Sequence, residues 1–162
     1  MKLSNKGLYS LRVLRHLAED YGKEPLSVAY LSREEGLPLK YLEQILSLLR
    51  KSGLLMSRRG KDGGYSLIRP PEEITVGDVI RAVEGPLAPL LCASVEMDHK
   101  KFCDCPHEIE NCWIRLLMLQ VRENISAVLD QYTLATMVMG PRSQESEAQV
   151  GMGGGVADSD SD

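Results

Sequence analysis

The 162-residue chain is predicted to be mostly α-helical with one small β-hairpin, and three observations predict it. Apolar residues recur at steps of three and four through much of the first 53 positions and again between Ile114 and Tyr132, the period of helices with one buried face. Between Leu54 and Arg69 that period gives way to two short strand-like runs around a glycine-rich loop. Serine, threonine and proline stand where helices would begin, and glycine where they would stop.

Ser4 is placed to cap a first helix with apolar positions Leu8, Leu11, Leu14, Leu17 and Ala18, and Gly22 is placed to end it. After Pro25, Ser27 caps a short helix through Val28, Ala29 and Leu31 that stops near Gly36. Pro38 suits the first turn of the next helix, because it lacks an N–H that would be unpaired there. That helix buries Leu42, Ile45, Leu46 and Leu49 and runs to Gly53. Two helices joined by a tight glycine-containing turn form a helix-turn-helix. The runs Leu54-Leu55-Met56-Ser57-Arg58 and Tyr65-Ser66-Leu67-Ile68-Arg69 flank Arg59-Gly60-Lys61-Asp62-Gly63-Gly64, as in a hairpin, and a hairpin in this place is a wing. Thr75 and Asp78 give a capping-box pattern for a helix carrying Val79, Ile80 and Val83, ended by Gly85. Residues 1–85 therefore read as a winged helix-turn-helix domain.

Residues 86–112 have the Pro, Asp and His content of an irregular loop and hold all four cysteines: Cys92, Cys103, Cys105 and Cys112. After them Ile114, Met118, Val121, Ile125, Val128 and Tyr132 alternate steps of four and three, a seam that packs on another helix. That partner is either the chain's own core or a second copy. The length of the seam, with Leu117 and Leu129 beside it, favours a long C-terminal dimerisation helix, and Thr133 starts a short last helix, so residues 113–139 form this unit. Residues 140–162, ending PRSQESEAQVGMGGGVADSDSD, lack the apolar content of a core and are expected to be a disordered tail.

The net charge of −4 conceals an asymmetry. Residues 1–69 hold 13 Lys and Arg against 7 Asp and Glu, whereas residues 70–162 hold 6 against 16. The basic half is also the half with the helix-turn-helix, which argues for nucleic acid. On the helix from Pro38 to Ser52 the face opposite the leucines presents Lys40, Tyr41, Glu43, Gln44, Ser47, Arg50 and Lys51. Glutamate accepts from cytosine N4–H and glutamine pairs with adenine, so Glu43 and Gln44 are candidates for reading bases in the major groove. Lys40, Arg50 and Lys51 suit phosphate, which fixes register. Arg58, Arg59 and Lys61 on the wing suit a minor groove, where narrow A·T-rich segments concentrate negative potential.

The N-terminal segment has neither the apolar core nor the cleavage site of a signal peptide, and no stretch is long enough to cross a bilayer. A cytoplasmic location is expected. Thiols stay reduced there, so the cysteines suit metal ligands or redox sensors better than structural disulfides. Three readings remain open: a metal or cluster sensor, a metal-free thiol switch, and a zinc-stabilised interaction module, since four thiolates satisfy tetrahedral zinc. The spacing C-x10-C-x-C-x6-C lacks the paired CxxC knuckles of zinc ribbons, which disfavours the third. No Ser/His/Asp arrangement, phosphate-binding loop or CxxC redox pair is present, so an enzyme is not expected.

The stretches MKLSNKGLYSLRVLRHLA, YLEQIL, the wing RGxxGGYxL, ITVGDVIRAVEG and the late LDQYTLATMV resemble the Rrf-two family of bacterial winged-helix transcription regulators, from Met1 to about Met139. The resemblance implies a homodimer whose long C-terminal helices cross and whose recognition helices and wings occupy the halves of a pseudo-palindromic DNA operator. Glu43, Gln44 and Arg59 match the family's DNA-contacting positions. IscR-like and NsrR-like members bind an iron-sulfur cluster through three cysteines. Here Cys92 matches the first, Cys105 or Cys103 the second, and Cys112 the third. Soft thiolates stabilise iron in both valences, and the cluster is of the 2Fe-2S or 4Fe-4S type. The fourth ligands of those members are not carried over, because Arg115 stands where one has histidine and the acidic ligand of the other falls near Leu8. Cys103 is expected in that role, with His107 and His99 as alternatives. The function expected is a repressor whose operator affinity follows a cluster sensing iron, nitric oxide, oxygen or redox state.

Overall fold

The computed structural model of the chain describes residues 3–94 and 111–140. The Ser4 hydroxyl accepts from the Gly7 N–H at 3.2 Å and opens α1 (Asn5–Glu19). The helix stops at Asp20, short of the expected Gly22, and Gly22 (φ 80°) lies in the turn beyond. Its buried row is Gly7, Ser10, Val13, Leu14, Leu17 and Ala18, while Leu8, expected in the core, is 44% exposed. This row faces the end of α4 (Val76–Glu84). A Cβ on Gly7 would collide with the Glu84 carboxylate, so the close approach falls on Gly7 and not on Leu8.

Ser27 caps α2 (Val28–Glu35) by accepting from Tyr30 N–H at 3.1 Å. Gly36 then takes the left-handed conformation (φ 63°), and the Ser32 hydroxyl donates to the Leu37 carbonyl at 2.6 Å, closing the turn. Pro38 is the N-cap of α3 (Leu39–Lys51), one place before the first helical residue. Its extended ψ of 133° aims its carbonyl at the N–H groups of Tyr41 and Leu42, both at 3.0 Å. At the α1/α2 junction the buried Glu35 carboxylate lies 2.7 Å from His16 Nε2 and 2.6 Å from Arg12 Nε.

The core gathers Val13, Leu14 and Leu17 of α1, Leu31 of α2, and Leu42, Ile45, Leu46 and Leu49 of α3. Leu54, Leu55 and Leu67 join it from the hairpin, and Val79 and Val83 from α4. The hairpin pairs β1 (Leu55–Arg58) with β2 (Gly64–Leu67), in register from Leu55 opposite Leu67 to Arg58 opposite Gly64. Leu26 adds a single bridge on the other edge, exchanging hydrogen bonds of 3.0 and 2.9 Å with Tyr65. That approach requires glycine at Gly64, where a Cβ would strike the Leu26 backbone.

The expected capping box opens α4 (Val76–Glu84): Asp78 N–H donates to Thr75 Oγ1 at 3.0 Å, and Thr75 N–H to Asp78 Oδ2 at 3.2 Å. Burial, the largest single influence on the Asp78 carboxyl, pushes its pKa up. Hydrogen bonds from Arg81 and Thr75, with the Arg81 charge, outweigh it and leave the pKa below the usual value.

The long α5 (Trp113–Gln131) and the short α6 (Leu134–Met139) follow, the latter opened by a Thr133/Thr136 capping box. The foot of α5 is fixed to α4. Arg81 places its two terminal nitrogens 2.7 and 3.3 Å from the Asp130 carboxylate oxygens, and Val76 N–H donates to the Tyr132 carbonyl at 2.7 Å. Leu134 of α6 then returns to the core. No residue of α5 is fully buried: Ile114, Leu116, Leu117 and Val128 are exposed, and Trp113 is 69% exposed. Within the described residues of one chain this seam is covered only in part: Met118, Val121, Ile125 and Leu129 are half-buried, and Ile114, Val128 and Tyr132 stay exposed. The expected disordered tail, from residue 141 on, lies outside the described residues.

Candidate nucleic-acid interface and cysteine segment

Burial of Leu42, Ile45, Leu46 and Leu49 fixes the rotation of α3 and leaves Lys40, Glu43, Gln44, Arg50 and Lys51 exposed together. Tyr41 departs from the expected exposed face. It is half-buried with its ring edge-on to Tyr9 of α1, centroids 6.1 Å apart, because its position borders the core row. Ser47 is likewise half-buried. Arg50 reaches from the end of α3 to the Ser57 hydroxyl of β1 at 3.4 Å, linking helix to wing.

The three wing cations do not stand alike. Arg58 pairs with Glu24, in the turn before α2, and donates to the Asp62 carbonyl at 3.0 Å. Its guanidinium thereby ties the wing to the turn before α2. Arg59 and Lys61 are exposed and enter no ion pair among the described residues. The loop holds them outward through Gly60 (φ 115°) and a Gly63 N–H to Gly60 carbonyl bond of 3.0 Å. A surface with cations at the rim and Glu43 and Gln44 between can hold phosphate and read base edges.

Cys92 sits in a one-turn 3-10 segment, Leu91–Ala93, and Cys112 is the N-cap of α5; both are half-buried, and neither is in a disulfide among the described residues. Arg115, one turn into α5, donates from Nε to the Cys92 carbonyl at 3.0 Å. Arg122 donates from Nη1 to the Ala93 carbonyl, also at 3.0 Å. The two thiol-bearing backbones are thereby brought to the same end of α5. Cys103, Cys105, His99 and His107 lie outside the described residues, and among the described residues no group of three or more His, Cys, Asp and Glu converges. The residues described fit a thiolate-held group: Cys112 caps the positive end of a 19-residue helix, which favours an anionic assembly, and the turn bearing Cys92 is tied to the first turn of that helix. Arg115 and Arg122 escaped recognition in the sequence as binding elements, since helical periodicity marks only their places on α5.

The profile of the Rrf2 family, described as "Iron-dependent Transcriptional regulator", matches residues 3–140. The chain belongs to the Rrf2 family. Among Rrf2 relatives, the HTH-type transcriptional regulator CymR of Bacillus subtilis is 38% identical over 134 residues, covering 83% of this chain and 87% of that protein. The HTH-type transcriptional regulator IscR of Serratia proteamaculans is 36% identical over 138 residues, covering 85% and 79%. In three dimensions the chain is similar to B. subtilis CymR, titled the global cysteine regulator of that organism (TM-score 0.67, 35% identity, 88% and 99% covered). It is also similar to T. potens IscR (TM-score 0.63, 34% identity, 94% of each chain). This Rrf2 protein is accordingly a winged-helix, DNA-binding transcription regulator and not an enzyme. Among the described residues no helix is long and apolar enough to cross a membrane.

Proposed function

We propose that this Rrf2 regulator represses transcription as a cytoplasmic homodimer on a pseudo-palindromic operator, with an affinity set by an iron-sulfur cluster. The observation that carries the reading is the Arg115 bond that ties the Cys92 turn to the first turn of α5, which Cys112 caps, while the other end of α5 is fixed to the winged helix. The family description as iron-dependent and the likeness to IscR support it. Cys92, Cys105 and Cys112 hold the cluster, and Cys103 completes the set. A bound cluster supplies a charge and an occupancy that change with iron, nitric oxide, oxygen or redox poise.

The remaining steps belong to the protein's own residues. Glu43 and Gln44 read bases, Lys40, Arg50, Arg59 and Lys61 hold the backbone, Arg58 braces the wing, and Tyr41 steadies α3 against α1. The half-covered seam of α5 pairs with that of a second copy, which removes Ile114, Leu117, Val128 and Tyr132 from water.

A metal-free thiol switch is the second reading, favoured by the likeness to CymR, for which a structure titled the oxidized form of the Staphylococcus aureus protein exists at 33% identity and TM-score 0.64. Purification without oxygen, followed by a visible spectrum and assay of iron, acid-labile sulfide and zinc, separates the two. A brown protein with iron and sulfide supports the cluster. A colourless protein without metal, after attempted reconstitution, overturns it in favour of the thiol switch, and stoichiometric zinc overturns it in favour of a structural site.

A further inference from the structure

We propose that Arg115 and Arg122 form a two-pronged clamp that positions Cys92 against α5 and carries the state of the cysteine segment to the DNA-binding domain. The inference rests on the cysteine segment being the sensing site, whether cluster or thiol. The Leu91–Ala93 segment is a single turn, closed by bonds from Ala93 N–H to the Leu90 carbonyl and from Ser94 N–H to the Leu91 carbonyl. Two consecutive carbonyls, those of Cys92 and Ala93, are taken at 3.0 Å by guanidinium groups seven residues apart on the same face of α5. The Arg122 side chain is only 15% exposed, so its charge-assisted bond competes little with water. The turn packs on α5, with Ala93 and Ser94 buried beneath it. Arginine keeps its proton in proteins and offers no lone pair to a metal, so Arg115 acts from outside the ligand set.

The other end of α5 completes the argument. Asp130, eight residues beyond Arg122, receives both terminal nitrogens of Arg81 on α4, and Thr75 Oγ1 donates to the same carboxylate at 3.3 Å. A displacement of the turn pulls on Arg115 and Arg122, hence on α5, whose foot is locked to α4 behind the recognition helix. Arg115 and Arg122 are positioning residues for sensing.

The test is amide hydrogen exchange on the full-length protein purified without oxygen, comparing wild type with Arg115→Ala, Arg122→Ala and Arg115→Lys. The Ala93 and Ser94 amides, which donate to Leu90 and Leu91 carbonyls at 3.0 and 3.1 Å, report the turn directly. Each alanine variant is expected to speed their exchange about tenfold or more, with α3 amides unchanged and Arg115→Lys partly restoring protection. The ratio of DNA affinities between reconstituted and chelator-treated protein is expected to move toward one in the alanine variants. Unchanged exchange at Ala93 and Ser94 in both alanine variants overturns the clamp. Faster exchange with an unaltered affinity ratio overturns its transmitting role. If wild type takes up neither iron nor sulfide, the cluster reading fails separately. The exchange rates still decide the clamp, and the affinity ratio is then measured between reduced and diamide-oxidised protein.

Discussion

The Nε–H of Arg115 meets the carbonyl oxygen of Cys92 at 3.0 Å, joining residues 23 positions apart. Arg115 lies three residues past Cys112, so this bond fixes the start of α5 to the turn bearing the first cysteine. Arg115 thus orients the backbone of the Cys92 turn against α5. The Cys92 turn and α5 are one packed unit at this end, and the Arg81–Asp130 pair joins α5 to the winged helix at the other.

Gly77→Ala tests the lower junction. A Cβ there would collide with Asp130 Oδ1, the oxygen held by Arg81 at 2.7 Å. Displacing Asp130 is expected to cost about 1–3 kcal/mol, read as a lower urea midpoint, because the neighbouring atoms are a fixed ion pair. An unchanged midpoint would mean that α5 yields freely at its foot.

Asp78→Asn tests the capping box through pH. The native pKa of Asp78 lies below its unfolded value of 3.8, so its stabilising charge is fully present above that pH and is lost as pH falls through the native value. The asparagine variant should be less stable at neutral pH by about 0.5–1 kcal/mol, discounted for the exposure of the Arg81 pair. The difference from wild type should shrink below pH 3.8. Denaturant titrations at neutral and acid pH check both statements.

Arg59→Ala should weaken DNA binding and lower the slope of log affinity against log salt by about one, with stability within about 0.5 kcal/mol of wild type. Arg58→Ala should weaken binding by loosening the wing, because Arg58 is already paired with Glu24. A Glu24→Ala variant that weakens DNA binding as Arg58→Ala does would bear out the brace.

Glu43→Ala and Gln44→Ala should each relax base preference at one position of each half-site, by about 1–3 kcal/mol of discrimination. Selection of binding sites from a random duplex pool by each variant measures this. Retention of full preference in both would move base reading elsewhere on α3 or the wing.

The winged helix was largely legible because its signals are local. Ser4, Ser27, Thr75 and Thr133 cap as their positions predict, and the α3 stripe is buried to the residue. What escaped depends on elements distant in sequence. Glu84 approaches α1 at Gly7 and not at Leu8, Tyr9 takes the ring of Tyr41, and Glu24 claims Arg58. Each is a contact across tens of residues that periodicity does not encode. The geometry around Cys92 was not legible: the bonds of Arg115 and Arg122 to the Cys92 and Ala93 carbonyls have no pattern in sequence beyond two cations on one helical face.

The measurement that bears most directly on the account is the affinity of one pool-selected duplex for the same protein preparation before and after removal of iron and sulfide, at fixed salt. The account predicts one dimer per duplex and affinities that differ about tenfold or more between the two states. Equal affinities in protein shown to lose iron and sulfide would contradict control of the operator by a cluster.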